Sequence, residues 1–346
     1  MKNKIIDLFS GCGGLSLGFE KVGFSLALAI DHWDDSIKTL NYNRKDKIGT
    51  TKDVYDFTND ELRILKKEVV GVIGGPPCQG FSMVGTRDHK DKRNSLYLEF
   101  VRFVQVIEPK FFVLENVKGL LTLKGGYFKH DIVKRFSDIG YNVTFKILRA
   151  SNYGVPQNRD RIFFVGLKKD HFKDTFFEFP TENKKIVTTE EALSDILNIE
   201  EKEKTQKYSG QPKNDYQKLM RKNSSLILNH EITNHSDQTI QIINKIPDGG
   251  DIKSISSDYY KVRNYNNAFK RMDSKKPSNT IDCGHRNYFH YCQNRIPTVR
   301  ESARIQSFPD NFEFLGSKTS QYKQVGNAVP PLLAYAIAKK IKKMLL

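Results

Sequence analysis

The sequence lacks long apolar runs and is poor in cysteine. No run approaches the roughly 18 residues that a membrane-spanning helix needs, and residues 1–4 lead into a short apolar stretch that Asp7 interrupts, unlike a secretory signal. The cysteines are too few and too scattered for a disulfide framework: Cys12, Cys78, Cys283 and Cys292. We therefore expect a cytoplasmic protein with reduced thiols and no membrane partner.

Acidic residues are fewer than basic ones. The 346 residues include 56 Lys and Arg against 40 Asp and Glu, a formal net charge of +16. Such an excess favours a polyanionic partner, and nucleic acid is the commonest one inside cells. A basic surface that only faces solvent is the alternative, and charge alone does not decide between the two.

The first 167 residues alternate between short apolar runs and stretches with helical periodicity. The runs predicted to be strands are 4–9, 25–30, 69–73, 111–114, 141–148 and 161–167. This alternation predicts an α/β fold, a doubly wound and mostly parallel sheet covered on both faces. In such sheets ligands bind beyond the carboxyl ends of the strands, so the residues that follow each strand matter most.

Beyond residue 170 the composition becomes polar and the periodicity weak. We expect a smaller, irregular domain, followed by a helix at 298–307 that Thr298 and Glu301 would open as a capping box. An amphipathic pattern over 331–346 predicts a final helix. The predicted divisions are 1–180 for the first domain, 181–295 for the second, and 296–346 for a segment that returns to the first.

The first predicted strand runs into a glycine-rich turn at 7–14, DLFSGCGG. Ser16 replaces the third glycine of the dinucleotide fingerprint, which argues against a nicotinamide oxidoreductase. Asp31 ends the second predicted strand, where an acid commonly accepts hydrogen bonds from ribose hydroxyls. The turn and Asp31 together favour a cofactor that contains a nucleoside, and a plain tight turn is the alternative.

Cys78 follows another predicted strand, within GGPPCQGFS at 74–82. A buried cysteine is usually inert, but two prolines hold this one at the mouth of a strand, as a nucleophile requires. Glu115 ends the next predicted strand and should face the same crevice. An acid beside a nucleophilic cysteine can protonate or hold a ring nitrogen, and a purely structural carboxylate is the alternative.

These blocks resemble the DNA (cytosine-5)-methyltransferase family, in particular its small bacterial restriction-modification members. The blocks occur in the family's order at 7–20, 74–82, 115–119 (ENVKG), 157–161 (QNRDR), 300–310 (RESARIQSFPD) and 326–331 (GNAVPP). The resemblance covers both ends of the chain. It implies an S-adenosylmethionine-dependent methyltransferase fold with a target-recognition domain, acting on double-stranded DNA.

The resemblance also implies which residues bind S-adenosylmethionine. Phe9 would stack on adenine, Asp31 would hold the ribose, and Asp53 the adenine amine. His32 stands where the family usually has an apolar or aromatic residue, a place that Trp33 could take. The remaining cofactor residues implied are Asp7, Gly11, Gly13, Gly14, Asn327 and Ala328.

For catalysis the resemblance implies that Cys78 attacks the base and that Pro77 fixes Cys78 and contacts the base. Glu115 would hold cytosine N3 and the exocyclic amine. Arg159 and Arg161 match the QxRxR block, with Arg161 near cytosine O2. A loop at 82–94 would close over a flipped-out cytosine. The residues expected to contact DNA are Ser82, Arg93, Arg263, Arg271 and Arg286.

Three alternatives remain open from the sequence. The first is an RNA cytosine-5 methyltransferase on the same scaffold, although the Cys-Phe-Thr motif of the branch that modifies transfer RNA does not occur. The second is a catalytically silent DNA-binding relative. The third is a zinc site, which the spacing fits poorly, at Cys283, His285, His290 and Cys292. We expect no metal, a monomer associated with the bacterial nucleoid, and functional pairing with a restriction endonuclease.

Overall fold

The computed structural model describes residues 3–77, 96–183, 185–197, 205–256, 269–283 and 288–346. The chain divides into two compact units. Unit 1 consists of Met1–Arg149, Asp160–Glu182 and Leu333–Leu346, and unit 2 of Ala150–Arg159 and Asn183–Leu332. Residues 296–332 therefore belong to unit 2, and the chain returns to unit 1 at Leu333 rather than at 296.

The strands and helices of the described residues are numbered in chain order. The strands are β1 (Lys4–Leu8), β2 (Ser25–Asp31), β3 (Gly49–Thr51), β4 (Val69–Gly74), β5 (Phe111–Val117), β6 (Tyr141–Arg149), β7 (Gln157–Asn158), β8 (Asp160–Lys168), β9 (Gln206–Lys207), β10 (Leu226–Ile227), β11 (Lys270–Arg271), β12 (Ser278–Asn279) and β13 (Tyr288–Phe289). The helices are α1 (Gly14–Glu20), α2 (Asp34–Tyr42), α3 (Asn59–Leu65), α4 (Leu96–Ile107), α5 (Tyr127–Asp138), α6 (Lys169–Phe172), α7 (Thr189–Leu193), α8 (Asp215–Met220), α9 (Asp237–Lys245), α10 (Val299–Ile305), α11 (Lys318–Asn327) and α12 (Pro331–Met344).

Unit 1 is built on a seven-stranded sheet with the order β3-β2-β1-β4-β5-β8-β6. The first five strands of that order run parallel, whereas β8 is antiparallel to both β5 and β6. The central strands are mostly apolar, because both faces of a parallel sheet are covered, and the polar residues Asp7, Glu115 and Asn116 lie near the carboxyl ends of β1 and β5. The six predicted strands are all present, and the α/β fold class is confirmed.

The final helix packs on the first one within unit 1. A Cβ added to Gly18 of α1 would lie 2.4 Å from the Cβ of Ala334 and 2.5 Å from the backbone nitrogen of Tyr335 in α12. Glycine at position 18 therefore permits a close approach of the two helices. The predicted helix at 331–346 is confirmed, and its apolar residues Leu333, Ile337 and Ile341 are buried.

Unit 2 has short strands and helices around its own apolar cluster, which includes Met220, Ile227 and Ile305. The predicted capping box is present at the start of α10: Thr298 accepts from the backbone of Glu301, and the Glu301 carboxylate accepts from the backbone of Thr298. Every residue of α10 is buried, and this helix lies in the stretch Asn183–Leu332 that belongs to unit 2. Among the described residues, none of the helices is long and apolar enough to cross a membrane.

Candidate active site

The chain leaves β1 through an unusual turn. Phe9 has φ +58°, Gly11 φ +52° and Gly13 φ +88°. A left-handed conformation is costly for a phenylalanine, and such strain is concentrated at functional sites. A Cβ added to Gly11 would meet no atom within 4 Å, so the backbone faces open space there. The turn thus leaves room for a ligand beyond the carboxyl end of β1.

Asp31, at the end of β2, organises this turn. One carboxylate oxygen accepts the backbone N–H of Gly11 at 2.8 Å, and the other accepts that of Trp33 at 2.9 Å. A carboxylate has about four acceptor positions, so these bonds leave capacity for further donors such as ribose hydroxyls. The predicted ribose-binding acid therefore lies beside the glycine turn.

Asp7 lies beneath the turn, near the end of β1. Its carboxyl side chain is 1% exposed. Burial raises its pKa to about 7, against partly opposing effects of Ser16 and the positive charge of Arg44. Ionisation of a carboxyl group that is buried to this degree is costly.

The remaining residues of unit 1 that are expected to bind the cofactor lie around the turn or at the surface. Gly14 begins α1 and is buried. The His32 side chain is 79% exposed, with Nδ1 3.5 Å from Asp31. Asp53 caps a short 3₁₀ helix (Val54–Asp56) by accepting the backbone N–H of Tyr55 at 3.1 Å. Their contacts with a cofactor remain predictions.

The carboxyl ends of β4 and β5 meet at the same edge of the sheet. Asn116 of β5 donates from Nδ2 to the carbonyl of Pro76 at 3.0 Å, which fixes the segment that leads through Pro77 to Cys78. A Cβ added to Gly75 would lie 2.8 Å from Oε2 of Glu115. The Glu115 carboxylate therefore lies directly over the Gly75 backbone, three residues before Cys78.

Arg161 forms an ion pair with Glu115. The Nε of Arg161 lies 3.0 Å from Oε1 of Glu115, and the two side chains are 15% and 12% exposed. The register explains the contact, because Val117 of β5 pairs with Arg161 of β8 and Glu115 with Phe163. Residues two positions apart share a face of the sheet, so Glu115 and Arg161 are diagonal neighbours. The antiparallel insertion of β8 beside β5 therefore creates this pair.

Arg159 lies in unit 2 and is 2% exposed. Its guanidinium donates to the carbonyl of Gly326 at 2.8 Å and to that of Ile281 at 3.3 Å. Asn327, at the end of α11, accepts a hydrogen bond from the Cys283 thiol, and Ala328 follows it as the helix C-cap. Arg159 thus holds Gly326 in place, directly before Asn327 and Ala328, the two residues of unit 2 that are expected to bind the cofactor.

Arg271 differs from its expected role. The residue is 7% exposed in unit 2. Its guanidinium donates to the carbonyls of Ile243 at 2.6 Å, Ile246 at 2.8 Å and His290 at 3.0 Å. These internal acceptors take up its donors, which argues against the DNA contact expected from the sequence and gives Arg271 a structural role.

Several predicted residues lie outside the described part of the chain. They are Cys78, Ser82, Arg93, Arg263 and Arg286, together with the whole loop at 82–94 and His285 of the zinc alternative. Within the described ranges, no cluster of three or more His, Cys, Asp or Glu has the geometry of a metal site.

Sequence reasoning missed two functional neighbours. Gly75 gives the Glu115 carboxylate its space, and the Gly-Gly-Pro-Pro run was the signal that a close approach occurs there. Arg44 contacts the helix that follows the glycine turn, through Ser16 and Glu20. Nothing in the sequence around Arg44 distinguishes it from other basic surface residues.

The glycine turn with Asp31 and the Glu115–Arg161 pair beside Gly75 both lie beyond the carboxyl ends of parallel strands, where enzymes of this fold class bind their ligands. The family model described as C-5 cytosine-specific DNA methylase matches residues 3–343. The chain belongs to this family and is a DNA (cytosine-5)-methyltransferase. The family acts by transferring a methyl group, so a methyl donor is its cofactor.

Two curated relatives illustrate the match along the whole chain. The type II methyltransferase M.DdeI of Desulfomicrobium norvegicum is 41% identical over 97% of this chain and 88% of its own length. The type II methyltransferase M1.HphI of Haemophilus parahaemolyticus is 41% identical over 98% of this chain and 86% of its own length.

Solved structures agree with the fold. A prophage-encoded E. coli protein described as a DNA modification methyltransferase has a TM-score of 0.83 at 28% identity, with 99% of each chain covered. The S. pombe Dnmt2 methyltransferase, at 17% identity, has a TM-score of 0.61 with 99% of each chain covered and shows the fold alone.

Proposed function

We propose that this enzyme methylates C5 of cytosine at a specific sequence in double-stranded DNA, with S-adenosylmethionine as the methyl donor. The observation that carries the proposal is the Glu115–Arg161 ion pair, with its 3.0 Å contact, beside the Gly75–Pro77 backbone. The pair places a carboxylate and a cation together where a nucleophilic Cys78 would follow. These groups can hold the N3 and O2 edge of a cytosine.

Cytosine C5 is a weak nucleophile, so the ring has to be activated first. The Cys78 thiolate forms a bond to C6, and the electrons of the C5–C6 double bond shift through C4 towards N3. Glu115, in its protonated form, gives its proton to N3 and becomes the carboxylate, and Arg161 stabilises negative charge at O2 and orients Glu115. C5 of the adduct is then nucleophilic.

S-adenosylmethionine, when bound, supplies the electrophilic methyl group that C5 acquires. Phe9, Gly11, Asp31 and Asp53 would hold it, with Asn327 and Ala328 as further contacts expected from the family. After transfer, N3 returns its proton, a base removes the C5 proton, and the C5–C6 double bond reforms as Cys78 leaves. We take water as this base.

The ring is inaccessible inside a duplex, so the cytosine must leave the stack at a cost of a few kcal/mol. We propose that the loop at 82–94 closes over it, with Arg93 contacting the DNA. Arg159 fits a role in positioning better than contact with the base, because its donors serve two carbonyls. Arg263 and Arg286 remain proposed DNA contacts.

The relatives named type II methyltransferases support a further proposal about the biological role. The modification would protect bacterial DNA from a restriction endonuclease that recognises the same sequence. The enzyme would then work as a monomer in the cytoplasm at the nucleoid, since modifying one flipped base requires no second subunit.

The test is base-resolved mapping of 5-methylcytosine on unmethylated plasmid DNA incubated with the protein and S-adenosylmethionine. We expect methylation at one short recurrent sequence, lost in Cys78→Ser while DNA binding is retained. Cys292→Ser, which changes an exposed thiol in unit 2, is the control and should methylate normally. A Cys78→Ser variant with near wild-type activity would refute the nucleophile, and a blank wild-type map would refute the DNA substrate.

A further inference from the structure

Arg44 lies outside every motif that identifies the family, shortly after α2, yet its side chain is only 9% exposed. It forms a two-pronged ion pair with Glu20 at the end of α1. Nε donates to Oε1 at 2.9 Å and Nη2 to Oε2 at 2.8 Å. A planar guanidinium matches a carboxylate in this geometry better than an ammonium group does.

The same guanidinium reaches the glycine turn. Nη2 donates to Oγ of Ser16 at 3.2 Å, and Ser16 in turn donates to the carbonyl of Gly13 at 3.2 Å. A Cβ added to Gly13 would lie 2.8 Å from Nη2. Glycine at this position therefore provides the φ of +88° and also leaves space for the Arg44 side chain.

Arg44 also holds the end of α2. Nη1 donates to the carbonyl of Leu40 at 3.1 Å, one of the acceptors left unsatisfied at a helix C-terminus. One side chain thus joins α1, α2 and the turn that leaves β1. The charge of Glu20 largely neutralises Arg44, so the pair can lie near the turn without repelling a positively charged ligand.

We propose that Arg44 is a positioning residue for the cofactor site. It fixes the turn at 10–13 against α1 and α2, so that the backbone is already in its binding geometry before the cofactor arrives. Preorganisation of this kind increases affinity because less conformational freedom is lost on binding. The inference rests on the proposed function in one respect, that this turn binds S-adenosylmethionine.

Arg44→Lys keeps the positive charge and removes the planar set of donors. We expect a KM for S-adenosylmethionine raised roughly tenfold, the size of one lost hydrogen bond to a charged group. The kcat at saturating cofactor and the KM for DNA should change by less than about twofold, because Arg44 acts on one subsite only. The Kd for S-adenosylhomocysteine, measured by calorimetry without DNA, should rise by the same factor.

Two variants separate positioning from general stability. Glu20→Gln removes the negative charge of the partner and should also raise the Kd for S-adenosylhomocysteine. In the double variant this Kd should rise by less than the product of the two single increases. Tyr141→Phe is the control, since it removes a buried bond to the Pro109 carbonyl, 2.7 Å, on the edge strand β6. This variant should lower the melting temperature and leave the Kd unchanged.

The inference is overturned if Arg44→Lys binds S-adenosylhomocysteine as tightly as the wild type. It is equally overturned if Arg44→Lys lowers stability and raises the KM for cofactor and DNA alike, as a general weakening of unit 1 would. A failure of the proposed function looks different. In that case the wild-type protein does not bind S-adenosylhomocysteine, or binds it and methylates no DNA.

Discussion

Nε of Arg161 lies 3.0 Å from Oε1 of Glu115, across two antiparallel strands of the central sheet. The two residues are 46 positions apart in sequence, and only the insertion of β8 between β5 and β6 makes them neighbours. An arginine beside a carboxylate fixes the orientation of that carboxylate. The pair is therefore the part of the site whose substitution gives the sharpest test of the chemistry.

Glu115→Gln keeps the shape of the side chain and removes its charge and its acidic proton. We expect kcat to fall by at least ~100-fold, the usual size of a general acid–base contribution. Arg161→Lys should lower kcat by ~100-fold as well, as the loss of one charge-stabilising donor does. Single-turnover methylation of duplex DNA measures both, with S-adenosylhomocysteine affinity expected to stay unchanged.

Lys134→Gln is the control for those two variants, because it breaks an exposed ion pair with Asp138 on the surface helix α5. It should transfer methyl groups at the wild-type rate. A Glu115→Gln variant that keeps its rate within about threefold of the wild type would remove Glu115 from the proposed chemistry.

Asp7 predicts a pH dependence of stability. Its pKa is raised from 3.8 to about 7 by burial, so between those values the folded protein keeps a proton that the unfolded chain has released. Below pH 4 Asp7 is protonated in both states and its ionisation costs no stability. As the pH rises from 4 towards 7, the free energy of unfolding falls by at most about 1.4 kcal/mol per pH unit. Asp7→Asn cannot ionise and avoids this loss.

The measurement is urea denaturation of wild type and Asp7→Asn at several pH values from 5 to 8. We expect the stability of the variant relative to wild type to increase with pH over this range. Asp138→Asn, at an exposed carboxyl group, provides the matched control. A difference between Asp7→Asn and wild type that is the same at every pH would show that the buried group stays ionised throughout.

The internal hydrogen bonds of Arg271 predict that its substitution lowers stability without changing the DNA sequence preference. Arg271→Lys removes hydrogen-bond donors from buried carbonyls of unit 2, including those of Ile243 and Ile246. We expect a loss of roughly 2–4 kcal/mol in the free energy of unfolding. The map of methylated sites should be the same as for wild type.

Denaturation curves and methylation maps of the same Arg271→Lys preparation test this expectation. A variant as stable as the wild type that methylates a different sequence would restore Arg271 as a base contact. A variant with lower stability and an unchanged map supports the structural role.

The sequence by itself determined the fold class, the six main strands, the capping box at Thr298 and the family. Short apolar runs and glycine-rich turns act locally, and the residues after each strand share one edge of a parallel sheet. For that reason Asp31 could be placed beside the glycine turn, and Glu115 beside the segment that leads to Cys78, without any coordinates.

Tertiary structure alone decided the partners of individual side chains. Arg44 and Arg271 are both basic and lie outside the catalytic blocks, and only Arg271 was expected to contact DNA. In the structure, Arg44 lies against the glycine turn and Arg271 lies inside unit 2. Such contacts join residues far apart in the chain, so they depend on how separate elements pack. A guanidinium positions a binding site or stabilises a domain core according to the acceptors that packing brings to it, and no local pattern records those acceptors.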